Sequence, residues 1–288
     1  MKKMNDRQEL TAGDNSNNIQ GSKVIVNQQG LSYSEVERVV MNIFKSNFYD
    51  LGEKVETIIN ERAEQILTKY LQRLVKENSE FLNNTEDPDL RFVIYEAQKS
   101  YARRGDKEIA DLLIDVLVDR TVAQEETLVK IVYNEALGII PKLTLKQIDV
   151  LTVLFLAHYV SVGSVFRIEQ LNDIMMQFAS DVPDDEFSFQ HLQYSGCISI
   201  SFGTANYIYG LMKEYPDLVP ASSENEDQIF KENLQVIAPN LHMFSKVWEE
   251  TKLCSCMLTS VGIAIALSNF KRKLGSEWGL DLNMWIKG

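Results

Sequence analysis

EVERVVMNIFKSNFYDLGEKVETIINERAEQILTKYLQRLVKEN, residues 35 to 78, decides the class of fold. Val36, Val39, Val40, Ile43, Phe44, Phe48, Leu51, Val55, Ile58, Ile59, Ile66, Leu67, Tyr70, Leu71, Leu74 and Val75 recur every three or four residues, and charged side chains fill the other face. That period predicts a helix from Glu35 to about Asn78, one long element if unbroken, with Gly52 the natural place for a kink. The spacing drifts from a strict heptad, so a regular coiled coil is not expected. Such a stripe must be buried, either by the rest of the chain or by the same helix of a neighbour. Val36, Val40, Ile43, Val55, Ile59 and Ile66 are the candidates for a helix-to-helix contact between copies.

Just upstream, residues 13–29 read GDNSNNIQGSKVIVNQQ and differ from everything that follows. Residues 1–12 are polar and read as a disordered leader. Two short β-type runs, around Ile19 and over Val24-Ile25-Val26, are separated by Gly21-Ser22 and edged with Asn and Gln. A segment this short cannot bury a core alone. Its strand edges and amides would be satisfied if copies from several chains stacked in register. Asn15, Asn17, Ile19, Gln20, Val24, Ile25 and Val26 are the candidate stacking residues. Gly30 ends the segment. Ser32 or Ser34 can cap the helix beyond it, and Ser34 with Glu37 has capping-box spacing.

Downstream, Asp87-Pro88 is a cap followed by a first-turn proline, and the next helix should end at Gly105. Asp106 caps another helix, and a third is expected over roughly Val122 to Leu137, closed by Gly138 and Pro141. Residues 31–143 thus read as an all-α region. Beyond it, Thr144–Val160, Phe166–Phe178 and Asp184–Tyr194 are helical patterns, Cys197–Ser201 and Leu253–Leu258 are strand-like, and Val261–Lys273 is an apolar helix capped by Thr259.

The order of three helices, two strands and a closing helix resembles a winged-helix domain. The resemblance is carried by Leu192-Gln193-Tyr194-Ser195-Gly196-Cys197-Ile198, like a third helix entering a wing. Leu258-Thr259-Ser260-Val261-Gly262 is like the exit from the second wing strand. Residues 203–252 stand where a wing has a short turn. That insertion should hold helices near Ala205–Glu214 and Leu241–Lys252, with an acidic loop at 222–227. The expected organisation is therefore mainly α: an N-terminal β-assembly segment (1–30), a helical middle region (31–143) and a C-terminal winged-helix-like α+β domain with a helical insertion (144–288).

The net charge is −12, divided as −1 over residues 1–80, −4 over 81–143 and −7 over 144–288. That field repels phosphate backbones, so wholesale nucleic-acid binding is disfavoured. The would-be recognition helix begins Asp184-Asp185-Glu186 and has no Lys or Arg through Tyr194. Cys197, Cys254 and Cys256 form neither a disulfide framework nor a zinc knuckle and read as buried thiols of a reducing cytosol. His158, His191 and His242 lack metal-ligand spacing. There is no signal peptide and no apolar run fit to span a bilayer, so a cytoplasmic chain without membrane contact is expected.

No phosphate loop, dinucleotide fingerprint, nucleophile elbow or zinc-protease motif occurs, so no catalytic residue, metal or cofactor is assigned. Two alternatives stay open. A DNA-binding regulator would need a basic surface built from Lys271, Arg272, Lys273, Arg103 and Arg104. A metal-dependent enzyme would use Asp111 and Asp115 with Mg²⁺; together with Asp119 they repeat every four residues on one helix face, a row that could hold a cation but reads first as a solvated face.

GDNSNNIQ, Gly13 to Gln20, resembles an N-terminal element shared by assorted bacterial proteins, many suspected of acting in phage defence. It is also distantly similar to amyloid-forming homotypic motifs, whose core is an aliphatic residue, Gln, a second aliphatic residue and Gly. Ile19-Gln20 matches the first two positions, while Gly21 and Ser22 depart from the last two. The resemblance implies homotypic assembly, as a fibril or as a closed β-stack of three or more chains. The helix after it, with Ser32-Tyr33-Ser34 and Phe44-Lys45-Ser46-Asn47-Phe48-Tyr49, is similar to the helix that follows this element in an uncharacterised bacterial family. The expected partners are further copies of this chain, and another protein met by the acidic C-terminal region.

Overall fold

The computed structural model describes residues 32–46, 53–123, 128–220 and 225–286. Among them the chain is mainly helical, with thirteen α-helices and one pair of short strands.

Local chemistry sets most helix ends. α1 (Tyr33–Ser46) starts at Ser32, whose N–H and hydroxyl both donate to Glu35 Oε2, so the side chain that closes the first turn belongs to the Ser32–Glu35 pair, two residues before Ser34–Glu37. α2 (Glu53–Glu77) packs against α1. The two are therefore separate, touching helices rather than one long one. Each has its own apolar stripe, and α1, α2 and α3 pack on one another so that much of both stripes is buried within this chain, with Ile43, Val55, Ile58 and Val75 left partly exposed. Gly52 lies outside the described residues. A 3₁₀ stretch (Ser79–Glu86) leads to α3 (Pro88–Arg104), where Asp87 caps, Pro88 opens the first turn and left-handed Gly105 closes. α4 (Lys107–Val122) is capped by Asp106, which accepts from the N–H groups of Glu108 and Ile109. α5 runs Leu128–Ile139, so Gly138 lies inside it and the stop falls at the Ile140-Pro141 turn.

The second half begins with α6 (Leu145–His158), opened by a reciprocal Thr144–Gln147 cap. The single turn α7 (Val162–Val165), α8 (Ile168–Ala179) and α9 (Glu186–Tyr194) follow. β1 (Ile198–Ile200) pairs antiparallel with β2 (Cys256–Leu258), placing Ile198 opposite Leu258 and Ser199 opposite Met257. Both strands are shorter than expected, because Lys252–Ser255 winds into a 3₁₀ turn. Between them lie α10 (Tyr207–Glu214), α11 (Glu226–Ile237) and α12 (Pro239–Glu250). α11 begins at Glu226-Asp227, within the residues read as an acidic loop. Carboxylates in a first turn suit the positive end of the helix dipole.

The last helix, α13 (Ser260–Leu274), is central. It packs on α6, α5 and α4, and every residue from Ile263 to Phe270 is buried. A polar link fixes this seam: buried Asn269 donates to Asp149 Oδ1 and Thr152 Oγ1, both at 2.9 Å, and Lys273 reaches Asp149 at 2.7 Å. The buried apolar side chains of both halves form one continuous cluster. The residues after α13 return onto it: Trp285 donates to the Tyr159 carbonyl at 2.8 Å and meets the Phe155 ring at 4.9 Å. Among the described residues, no helix is long and apolar enough to cross a membrane.

Candidate interaction surface

The strand pair and α9 form one face. Asp185 caps α9 by accepting from the Ser188 N–H at 2.8 Å. Phe189 and Leu192 then turn into the core, fully buried. Gln147 of α6 anchors the helix from beneath: its Nε2 donates to the Ser188 carbonyl at 3.0 Å and lies 3.0 Å from His191 Nδ1. Left-handed Gly196 ends α9 and turns the chain into β1.

What this leaves outside is aromatic. Phe187 is 78% exposed, Tyr194 90%, and Phe202 just past β1 is fully exposed. Met257, opposite Ser199 on the outer side of the strand pair, is 42% exposed. Asp184, Asp185 and Glu186 stand at the start of α9 beside Phe187, and Lys252, just before β2, lies 3.9 Å from Glu186. Solvent-exposed large rings grouped on one side of a well-packed element are characteristic of protein contact surfaces.

Four of the five basic residues that a DNA-binding surface would have needed make contacts within the chain. Lys271 lies 3.8 Å from Asp119, Arg272 donates to Asn269 Oδ1 at 2.9 Å, and Lys273 pairs with Asp149. Arg104 donates to the carbonyls of Pro141 and Leu143. Arg103 stands exposed at the end of α3.

The carboxylate row on α4 is likewise occupied. Lys69 of α2 pairs with Asp111 at 2.9 Å, Arg73 of α2 with Asp115, and Lys271 of α13 with Asp119. Neither a free cation site nor a wholly solvated face results; the row ties α4 to the helices on either side. Burial pushes the Asp119 carboxyl above its ordinary value, opposed by Lys271 and reinforced by Asp281 and Glu77. Among the described residues, no group of three or more His, Cys, Asp or Glu is arranged to hold a metal.

The cysteines are free, with Cys197 and Cys256 buried. Burial raises both thiols to about 12, far from the thiolate character a nucleophile needs. Burial lowers His158, which stacks near Trp248 with ring centres 5.1 Å apart.

Of the candidate helix-contact residues, Val36, Val40, Ile59 and Ile66 are buried in this chain's own core, while Ile43 is 39% and Val55 48% exposed. Asn15, Asn17, Ile19, Gln20, Val24, Ile25 and Val26 lie outside the described residues. The exposed rings of α9 and Phe202 did not stand out in the sequence. An amphipathic count marks Phe187 and Phe189 equally apolar, and only the packed structure separates the one that faces out.

No curated protein and no solved structure matches the chain. One protein-family model, whose description names no activity, matches residues 30–229 and again 218–286. Those matches cover far more than half of the sequence, and the chain belongs to the family that this model describes.

Proposed function

We propose that this protein works by protein–protein contact rather than by catalysis: a homo-oligomer of the bacterial cytoplasm, trimeric or larger, assembled through residues 13–29. The observation that carries the contact reading is the aromatic, acid-bordered face of α9 and the strand pair, built where a winged helix would place its DNA-reading side chains. Phosphate contact relies on Lys and Arg; α9 itself carries neither, and Lys252 beside it lies against Glu186. Two acidic copies meeting there would repel one another, so the occupant is a partner protein with a basic surface and sockets for Phe187 and Tyr194.

Assembly through the N-terminal segment is supported by its paired β-branched runs and flanking amides. Val55 and Ile58 on the outer side of α2 would extend that contact. Joining several chains raises the effective concentration of their partner-binding faces, so weak single contacts become strong together. A role in a defence or stress response is the reading supported by the similarity of Gly13–Gln20 to elements of defence proteins.

The test is absolute mass in solution by light scattering, for the full chain, for residues 31–288 and for a full chain carrying Ile19→Pro and Ile25→Pro. The expected result is a multimer for the full chain and monomers for both altered forms. A full chain that is monomeric, or three forms of equal multiplicity, overturns assembly through this segment. Retention on DNA with a steep salt dependence would overturn the contact reading in favour of a regulator.

A further inference from the structure

Two partly exposed rings elsewhere on this protein carry a lysine. Lys213 stands over the Tyr209 ring at 4.3 Å, and Lys99 lies 6.0 Å from the centre of Tyr95. Phe187 and Tyr194 are more exposed than Tyr209, and among the described residues no cation lies over either. They stand seven residues apart on α9, two turns along one outward stripe, while Phe189 and Leu192 fill the inward side. Two turns separate the rings by about 10 Å along the helix axis.

The carboxylates beside Phe187 divide into used and unused. Asp185 is committed to the helix cap. One of its oxygens accepts from the Ser188 N–H at 2.8 Å and the other from the Ser188 hydroxyl at 2.7 Å. Asp184 is exposed and makes no hydrogen bond or ion pair among the described residues. Glu186 faces Lys252 at 3.9 Å, a long pair with both side chains about half exposed or more. Solvent leaves such a pair weak. Lys252 follows the end of α12, where Glu249 and Glu250 are exposed. Carboxylates at a helix start suit the dipole whatever lies outside. The rings, which the fold does not use, are what single this turn out.

A bare ring beside free carboxylates matches both properties of a guanidinium. Its plane stacks on the ring while its N–H fork donates to a carboxylate. An ammonium has no plane to stack and holds its water more strongly. A purely apolar partner would cover the carboxylates without pairing them.

We propose that the α9 face binds an arginine-rich segment of its partner, one guanidinium lying between Phe187 and the Asp184 and Glu186 carboxylates and a second on Tyr194. A polyproline-type chain repeats its face every three residues, about 9 Å, so arginines at every third position match the two rings. The inference rests on the protein-contact reading above and specifies what the partner presents.

The test is fluorescence anisotropy of two labelled peptides titrated with the full chain at low salt. One carries three arginines separated by Pro-Pro, and the other is the same peptide with lysines. The arginine peptide should bind saturably and roughly fivefold more tightly than the lysine peptide. Phe187→Ala should erase that preference, and Asp184→Asn with Glu186→Gln should weaken both peptides. These side chains are exposed, so the thermal midpoint should stay nearly unchanged in each variant. Equal affinity for the two peptides would reduce the face to diffuse negative charge and overturn the proposal. So would an arginine peptide that does not bind, or a Phe187→Ala protein that prefers arginine as the parent does. The contact reading is decided separately: salt-dependent DNA retention removes it, whereas failure of the arginine peptide alone leaves it standing.

Discussion

Gly262→Ala should destabilise the protein even though it improves a helix. Gly262 lies in the first turn of α13, in ordinary helical geometry, where Ala is favoured over Gly by about 1 kcal/mol. The obstacle is close approach. An added Cβ would fall well inside 3.0 Å of the Cys197 carbonyl oxygen and 3.2 Å from Leu258 Cδ2. The oxygen is backbone, so no rotamer change relieves the overlap. The start of α13 must back away from β1 by roughly 1 Å, at an overpacking cost of about 1–3 kcal/mol.

That movement strains the hydrogen bonds holding the junction: Thr259 N–H to the Cys197 carbonyl at 3.0 Å, and Thr259 Oγ1 to the Gly196 carbonyl at 2.6 Å. Losing one of them adds about 1 kcal/mol. Subtracting the helix gain leaves a net loss of about 1–3 kcal/mol. The assay is urea unfolding followed by circular dichroism, read as a lower midpoint at unchanged slope. Gly210→Ala in α10 is the control. Nothing lies within 4 Å of its Cβ position, so it should stabilise by about 0.5–1 kcal/mol. A Gly262→Ala protein as stable as the parent, or a Gly210→Ala protein equally weakened, would refute the close-approach argument.

Two other outcomes test the packing. Arg120 is 3% exposed and reaches Asp87 at 3.0 Å, Asp89 at 2.5 Å and Asn134 at 3.1 Å, so Arg120→Met should cost about 2–4 kcal/mol in the same assay. Burial opposes ionisation of Asp87, but the bonds from Arg120 and from the Asp89 N–H outweigh it and lower its pKa. The stabilisation is therefore present above the ordinary carboxylate range and fades as pH falls through the folded value, and the Arg120→Met protein should show a shallower acid limb. In native protein at pH 8, a thiol reagent should modify Cys254 first, with Cys197 and Cys256 reacting only on unfolding; rapid native modification of Cys197 would contradict its burial.

Much of the fold was legible because its signals are local. Asp87-Pro88, Gly105, Asp106, Thr144 and Thr259 each mark a helix boundary through their own side chain or backbone freedom, and each does so in the structure. The Thr259 cap is such a local signal, its hydroxyl accepting from the Gly262 N–H, whereas the need for glycine at 262 comes from the distant Cys197 carbonyl. Features that depend on tertiary partners were not legible. The stripe of residues 35–78 gave a helical period but not the packing of α1 against α2. Asp111, Asp115 and Asp119 looked like a solvated or metal-binding face because Lys69, Arg73 and Lys271 come from distant segments. The ring cluster of His158, Tyr207 and Trp248 joins residues that share no spacing a motif could express.

The position of α13 orders the birth of the fold. The helix around which α4, α5 and α6 assemble is made after all three of them. Neighbouring helix pairs such as α2 with α3 can form while synthesis continues, because their contacts are close in sequence. The seam between α6 and α13, and the pairing of β1 with β2 across the whole insertion, must wait for residues 256–274 to emerge. Until then α6 presents its apolar sides to solvent. A chain stopped before residue 260 would lose far more than a terminal helix: two halves would remain, each still lacking the surface that closes it.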